Sequence, residues 1–306
     1  MGNASGSECE DDILKRMWKW SPEGYAGGGK ERRTEIIRPP GSDPLLAFRS
    51  ITKLFAYMDL FLTLCLHRAS VRYKQSMLGV AWALLQPASL MLVYFVIFSV
   101  VVQMPSEGIP YPVFVFAGLL PWTYFSTAVS SATMSLVSHT QMVTKVYFPR
   151  EILPLSYVVV GILDFAIATV LLILLMAFYR IGIGPGIVAA VPVMLVETIF
   201  IVALALLFSA VQVRFRDLGF AIPLLMQLWM FASPVVYPLS RVPARFRALY
   251  VLNPMVGILE NFRRVVLQKA SLDLHLLGIS FLISALLLIF SYGYFKLEEA
   301  TMADVI

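Results

Sequence analysis

The chain of 306 residues is 59% hydrophobic and 14% charged, carries a net charge of +5 and has a mean hydropathy of +0.79. Soluble domains carry roughly 25% charged residues, so this balance excludes an ordinary water-soluble domain and predicts an all-α integral membrane protein. Cys9 and Cys65, with His67, His139 and His275, lack the spacing of a metal site or a disulfide framework, and no catalytic cluster is visible.

Residues 1–47 are mostly Gly, Pro, Ser and charges, and 21 of the chain's 43 charged residues fall before position 76. This composition predicts a flexible cytoplasmic tail. Within it, Gly24, Gly29 and Lys30 nearly spell a phosphate-binding loop. Glu31 stands where a hydroxyl would hold magnesium, and no apolar strand precedes the motif, so the glycines read as a linker.

Residues 48–75 follow as an amphipathic helix. Ile51, Leu54, Phe55, Met58, Leu62, Cys65, Leu66 and Ala69 recur at three and four, opposite a polar stripe of Thr52, Asp59, Thr63, His67, Ser70 and Lys74. With Arg68, Arg72 and Lys74 near its end, the helix is expected to lie along the cytoplasmic headgroup layer; a soluble packing helix is the alternative.

The remaining region, 76–300, is transmembrane. A span needs about 20 apolar residues, and six stretches qualify, at 77–102, 111–135, 152–178, 187–213, 218–239 and 274–295. Pro87, Pro121, Pro192, Pro223 and Pro234 fall inside them, which packed neighbours make tolerable. Lys and Arg number five in 48–75, two in 136–151 and two in 213–217, against none in 103–110 and one in 179–186. That asymmetry puts both termini in the cytoplasm. The external 240–273 connection breaks the rule with Arg241, Arg245, Arg247, Arg263, Arg264 and Lys269.

Between spans two and three, Pro149 blocks helix continuation, so 143–148 is expected to form a short helix presenting Tyr147 and Phe148, rimmed by Lys145 and Arg150. Aromatics in a charged rim suit a protein partner, or else a headgroup belt. Asp164 and Glu197 fall near mid-bilayer in spans three and four. They read as structural hydrogen-bonding groups or, alternatively, as the proton relay of a secondary transporter. Trp82, Tyr94, Trp122, Tyr124, Phe125, Trp229 and Tyr237, along spans one, two and five, are available to stack on sugar rings; belts and core packing use the same residue types.

In the 240–273 connection, two apolar pieces around Asn253 and Pro254 are too short to span, and two short re-entrant helices fit them. Glu260, Arg263 and Arg264 fall in the second piece. The arginines are expected to meet lipid phosphates, an anionic polymer or simply solvent.

The blocks VRYKQSMLGVAWALLQP (71–87), GLLPWTYFS (118–126), VTKVYFPREILPLS (143–156), VRFRDLGFAIPLLMQLWMFASPVVYP (213–238) and LNPMVGILENFRRVVL (252–267) resemble the ABC-2 type permeases that export O-antigen, capsule or teichoic acid polymers. The resemblance covers roughly residues 50–296, in order. It implies a six-span subunit of a bacterial inner membrane that pairs with a second copy and moves a lipid-linked polysaccharide. Two separate ATP-binding subunits would bind ATP and Mg and supply the energy, so this chain needs no cofactor or catalytic residue. The segment Lys145, Val146, Tyr147, Phe148, Pro149, Arg150 and Glu151 would then be the coupling element that meets the ATPase, and Asn253, Pro254, Glu260, Arg263 and Arg264 would belong to helices capping the channel exit. No nucleic acid is expected among the partners.

Overall fold

The computed structural model describes residues 57–74, 81–104, 106, 108–182 and 184–302. The expected tail at 1–47 with its Gly24, Gly29 and Lys30, the start of the amphipathic helix with Ile51, Leu54 and Phe55, and the approach to the first span at 75–80 lie outside the described residues.

The described chain is helical throughout, without strands. Helix α1 covers Met58–Lys74, and α2 (Ala81–Tyr94) continues into a π-helical stretch, Phe95–Val101. Then come α3 (Tyr111–Thr133), α4 (Thr140–Lys145), α5 (Ile152–Phe178) and α6 (Ala190–Arg214). The chain ends with α7 (Leu218–Phe231), α8 (Ala244–Val251), α9 (Pro254–Val266) and α10 (Leu274–Glu299).

Among the described residues, five helices are long and apolar enough to cross a membrane: Leu84–Val101, Tyr111–Thr133, Ile152–Phe178, Ile187–Arg214 and Leu274–Glu299. The fifth expected span, 218–239, is shorter than the apolar run that suggested it. Helix α7 stops at Phe231 after 14 residues, about 21 Å at 1.5 Å each. Pro234 and Pro238 carry no amide donor, and the chain turns between them. Tertiary donors satisfy this turn: Tyr237 Oη donates to the Phe231 carbonyl at 2.9 Å and Tyr111 Oη to the Val236 carbonyl at 2.8 Å.

Helix α3 is the centre of the bundle. Most of its residues are buried, and it packs against α2, α5, α6, α7 and α9. Helix α10 runs along α6, and α9 is wedged against α3, α6 and α10. Gly257 permits that wedge, since a β-carbon there would stand 2.7 Å from the Leu276 carbonyl oxygen of α10.

The arginines of helix α1 meet α5. Cys65 Sγ donates to the Ser156 carbonyl at 3.9 Å, the Arg68 guanidinium lies 3.4 Å above the Tyr157 ring, and Arg72 Nη1 is 2.7 Å from Asp164 Oδ2. These contacts advance in the same order along both helices, so α1 leans along the first half of α5 in the same direction. Leu64 and Cys65 are buried against the bundle, while Leu62 and Leu66 stay exposed.

Candidate functional site

A cavity of about 430 Å³ opens between α2, α3 and α7. Its α3 wall is a stripe of hydroxyls, Ser126, Thr127, Ser130 and Ser131, spaced at one helical turn; Gln86 of α2 and Gln227 of α7 add amides. Thr127 Oγ1 donates to the Thr123 carbonyl at 2.6 Å, which satisfies its donor inside the helix and leaves its oxygen free to accept. Arg72, Trp122, Pro223 and Met226 complete the wall. Hydroxyls, amides, one cation and one aromatic face are the groups that hold a polyhydroxylated ligand by hydrogen bonds and ring stacking. The wall residues of α3 come from its second half, so the cavity lies toward the end of the bundle where α3 leads into α4 and where α7 begins.

The seven aromatic residues picked out by sequence separate into distinct places. Trp122 lines the cavity. Phe125 is buried and stacked on Phe200, with centroids 5.4 Å apart, and Trp229 meets it edge-on at 5.3 Å. Tyr124 is buried with its hydroxyl 3.3 Å from that of Thr198. Tyr94 Oη lies 3.5 Å from Met230 Sδ, and Tyr237 Oη lies 3.0 Å from the Tyr250 hydroxyl. Trp82 is exposed on α2. The hydroxyl stripe between these aromatics was missed by sequence reading, although its 126, 127, 130, 131 spacing was available in the α3 sequence.

Asp164 and Glu197 occupy different environments. Asp164 is paired with Arg72 of α1, Oδ2 lying 2.7 Å from Nη1. That ion pair joins α1 to α5, which agrees with the structural reading of Asp164. Glu197 is fully buried in α6, and neither carboxyl oxygen has a hydrogen-bond partner among the described residues.

The helix expected at 143–148 lies instead at Thr140–Lys145, and Val146 is already extended, with φ −124° and ψ 135°. Tyr147 is 66% exposed, whereas Phe148 is 4% exposed and belongs to the core. Lys145 is exposed as well. The pair is therefore split: one aromatic points outward and the other anchors the loop after α4. Pro149 follows Phe148, and the next helix starts at Ile152.

Arg150 and Glu151 turn toward the end of α10. The Arg150 amide donates to Glu299 Oε1 at 3.1 Å, and its guanidinium donates to the Glu299 carbonyl. Lys296 Nζ donates to Glu151 Oε1 and Oε2 at 2.7 and 2.8 Å and to Glu299 Oε2 at 2.8 Å. Burial pushes the Glu151 carboxyl up, and the Lys296 ammonium pulls it back. Arg214, at the end of α6, lies 3.4 Å from Glu298. A charged clasp thus joins α5, α6 and α10 beside the exposed Tyr147.

At the opposite end, Asn253 caps α9: its side chain accepts from the Met255 amide at 3.1 Å and donates to Ser233 Oγ at 2.9 Å. Pro254 is the first residue of the helix, where its missing amide donor costs nothing. Arg263 meets neither lipid nor solvent. It is buried, its Nη1 donates to the Pro234 carbonyl at 2.5 Å and Nη2 to the Val235 carbonyl, and its guanidinium lies 4.0 Å above the Phe114 ring. Arg264 is half-buried and donates to the Ser271 carbonyl at 2.7 Å, while Glu260 is half-buried on the same helix. Two short helices do flank Asn253, as expected, but α9 is buried within protein and α8 is exposed along its length.

A profile of the ABC-2 type transporter family matches residues 60–267. The O-antigen export system permease protein RfbA of Myxococcus xanthus is 32% identical over 261 residues, covering 84% of this chain and 99% of that protein. The RfbA permease of Klebsiella pneumoniae is 26% identical over 253 residues, 81% of this chain and 95% of its own. The polysialic acid transport protein KpsM of Escherichia coli is 25% identical over 209 residues, 67% of this chain and 80% of its own.

Proposed function

Because this chain belongs to the ABC-2 type transporter family, we propose that it is the membrane subunit of an ATP-driven exporter carrying a lipid-linked, O-antigen-like polysaccharide out of a bacterial cytoplasm. The observation that carries the substrate class is the cavity whose wall offers four hydroxyls, two amides, a cation and an aromatic face to a polyol. Relatives that export O-antigen and transport polysialic acid support the same class.

In this reading the protein sits in the inner membrane with both termini in the cytoplasm. Two copies form the channel, and two separate ATP-binding subunits supply hydrolysis. The exposed Tyr147, with Lys145 beside it, is the contact for that subunit, and the clasp of Glu151, Lys296 and Glu299 passes its movement to α5 and α10. The cavity lies at the same end of the bundle, where a cytoplasmic substrate would enter.

The test is purification of the full complex from native membranes, with mass spectrometry of copurifying proteins and lipids. A lipid-linked glycan together with an ATP-binding subunit is the expected result. ATP-independent export by the reconstituted chain alone would refute the reading.

A further inference from the structure

A second groove, of about 360 Å³, lies on a different side of the bundle from the hydroxyl-lined cavity. It is almost wholly apolar, running from Ile162 to Met176 on α5 and from Ile187, in the turn before α6, to Thr198 on α6, with Phe262 and Val266 of α9 as its floor. Residues 162 to 176 of α5 extend about 21 Å at 1.5 Å per residue, more than the roughly 15 Å of one leaflet of a roughly 30 Å hydrocarbon core. These residues belong to the second half of α5 and the groove's α6 residues to the beginning of that helix, so the groove lies in the half of the bundle away from Tyr147 and the charged clasp.

Two cations lie in the turns that follow two of its walls. Arg180 follows α5 directly, four positions beyond Met176, and Lys269 follows α9, three positions beyond Val266; both are exposed. Both hold left-handed backbone conformations, φ 55° and 53°, which side chains other than glycine adopt at a cost. Lys269 reaches across the turn after α5: a β-carbon on Gly182 would lie 3.2 Å from its Nζ and one on Gly184 would lie 3.3 Å from its Cγ. Among the described residues, no carboxylate lies within 4.0 Å of Arg180 or Lys269.

We propose that this groove binds one anionic glycerophospholipid of the outer leaflet, its acyl chain lying against Phe262 and Val266 and its phosphate meeting Lys269 and Arg180. The occupant is a resident bilayer lipid, separate from any transported molecule. An apolar groove with cations in the turns beyond it suits one apolar chain carrying a phosphate head. The leaflet assignment rests on the orientation proposed above; lipid binding itself does not.

The test is native mass spectrometry of the full-length protein released from nanodiscs of equal dioleoyl phosphatidylglycerol and dioleoyl phosphatidylethanolamine. The wild type is expected to retain phosphatidylglycerol about fivefold in preference, the effect of one favourable surface charge. Lys269→Glu is expected to abolish that preference while keeping an equal number of bound lipids. Thr169→Trp, which fills the groove, is expected to lose bound lipid of either kind; Val191→Trp, on the exposed rim, gives the same reading if the first variant does not fold. Equal retention of both lipids by the wild type, or wild-type behaviour in all variants, would overturn the proposal. So would efficient disulfide formation between Val191→Cys residues of two copies, since a protein face would then cover the groove. Labelling of Lys269→Cys by an impermeant maleimide in spheroplasts reads the leaflet separately. Protection there, with labelling after lysis, would refute the orientation and leave lipid retention to be judged by mass.

Discussion

Nζ of Lys296, one turn from the end of α10, lies 2.7 Å from Oε1 of Glu151, which immediately precedes α5. Both side chains are nearly buried, at 12% and 3% exposure. Removing one member of such a pair leaves the other charge buried, a loss of about 3–5 kcal/mol. Lys296→Met is therefore expected to lower the thermal stability of the detergent-solubilised protein strongly. Glu298→Gln, which frees the exposed Arg214, is expected to change stability by about 1 kcal/mol or less. Similar unfolding midpoints for the two variants would mean that the clasp does not hold α5 to α10.

Tyr147 and Phe148 are expected to fail in different assays. Tyr147 is outside the core, so Tyr147→Ala should leave the fold intact and weaken binding of the ATP-binding subunit by about 2 kcal/mol, roughly thirtyfold. Phe148 is in the core, so Phe148→Ala should cost about 3–5 kcal/mol of stability whether or not a partner is present. Thermal unfolding of the isolated chain and titration with the ATP-binding subunit distinguish the two. Full subunit affinity in Tyr147→Ala would move the docking contact elsewhere, with the exposed Phe215 between Arg214 and Arg216 as the next position to test.

The cavity wall makes a graded prediction. Thr127→Val deletes one accepting hydroxyl and is expected to raise the glycan concentration needed for half-maximal export about fivefold, the effect of one hydrogen bond near 1 kcal/mol. Ser130→Phe places a ring in the same space and is expected to block export, with normal binding of the ATP-binding subunit. Transport by proteoliposomes measures both. An unaffected Ser130→Phe would show that substrate does not pass this wall.

Accessibility tests α8 and α9. In a background without Cys9 and Cys65, cysteines at Val256 and Leu259 are expected to react slowly with an impermeant maleimide, because both positions are fully buried in α9. A cysteine at Arg245, on the exposed α8, is expected to react quickly. The same contrast in detergent, with the bilayer gone, would confirm that protein and not lipid shields α9. Fast reaction at all three positions would mean that α9 is not packed in the bundle.

Much of this arrangement is legible in the sequence because long apolar helices announce themselves. The third span, 152–178, coincides with Ile152–Phe178, and the second, fourth and sixth match within a few residues at most ends. The fifth does not. The run from Leu218 stays apolar through Val236, so hydropathy continues past the place where Pro234 and Pro238 force a turn. Pro149 likewise marked where no helix could continue, but the helix before it had already ended at Lys145. The partners of Arg72, Arg263 and Lys296 were hidden for another reason. Asp164, the carbonyls at 234 and 235, and Glu151 lie far from them in sequence, and no periodicity along one helix reports a neighbour on another.

The carbonyls at 234 and 235 also bear on how the protein is made. Irregular backbone at membrane depth is tolerated only where protein or water satisfies it, at several kcal/mol for each group left bare. Here the donor is Arg263, which the ribosome adds after α7 and the turn beyond it are complete. Until then, the end of the fifth hydrophobic segment has no guanidinium to accept from, and lipid offers none. The turn after α7 is therefore completed only by a later helix, and Arg263 makes the end of α7 and α9 one packed unit.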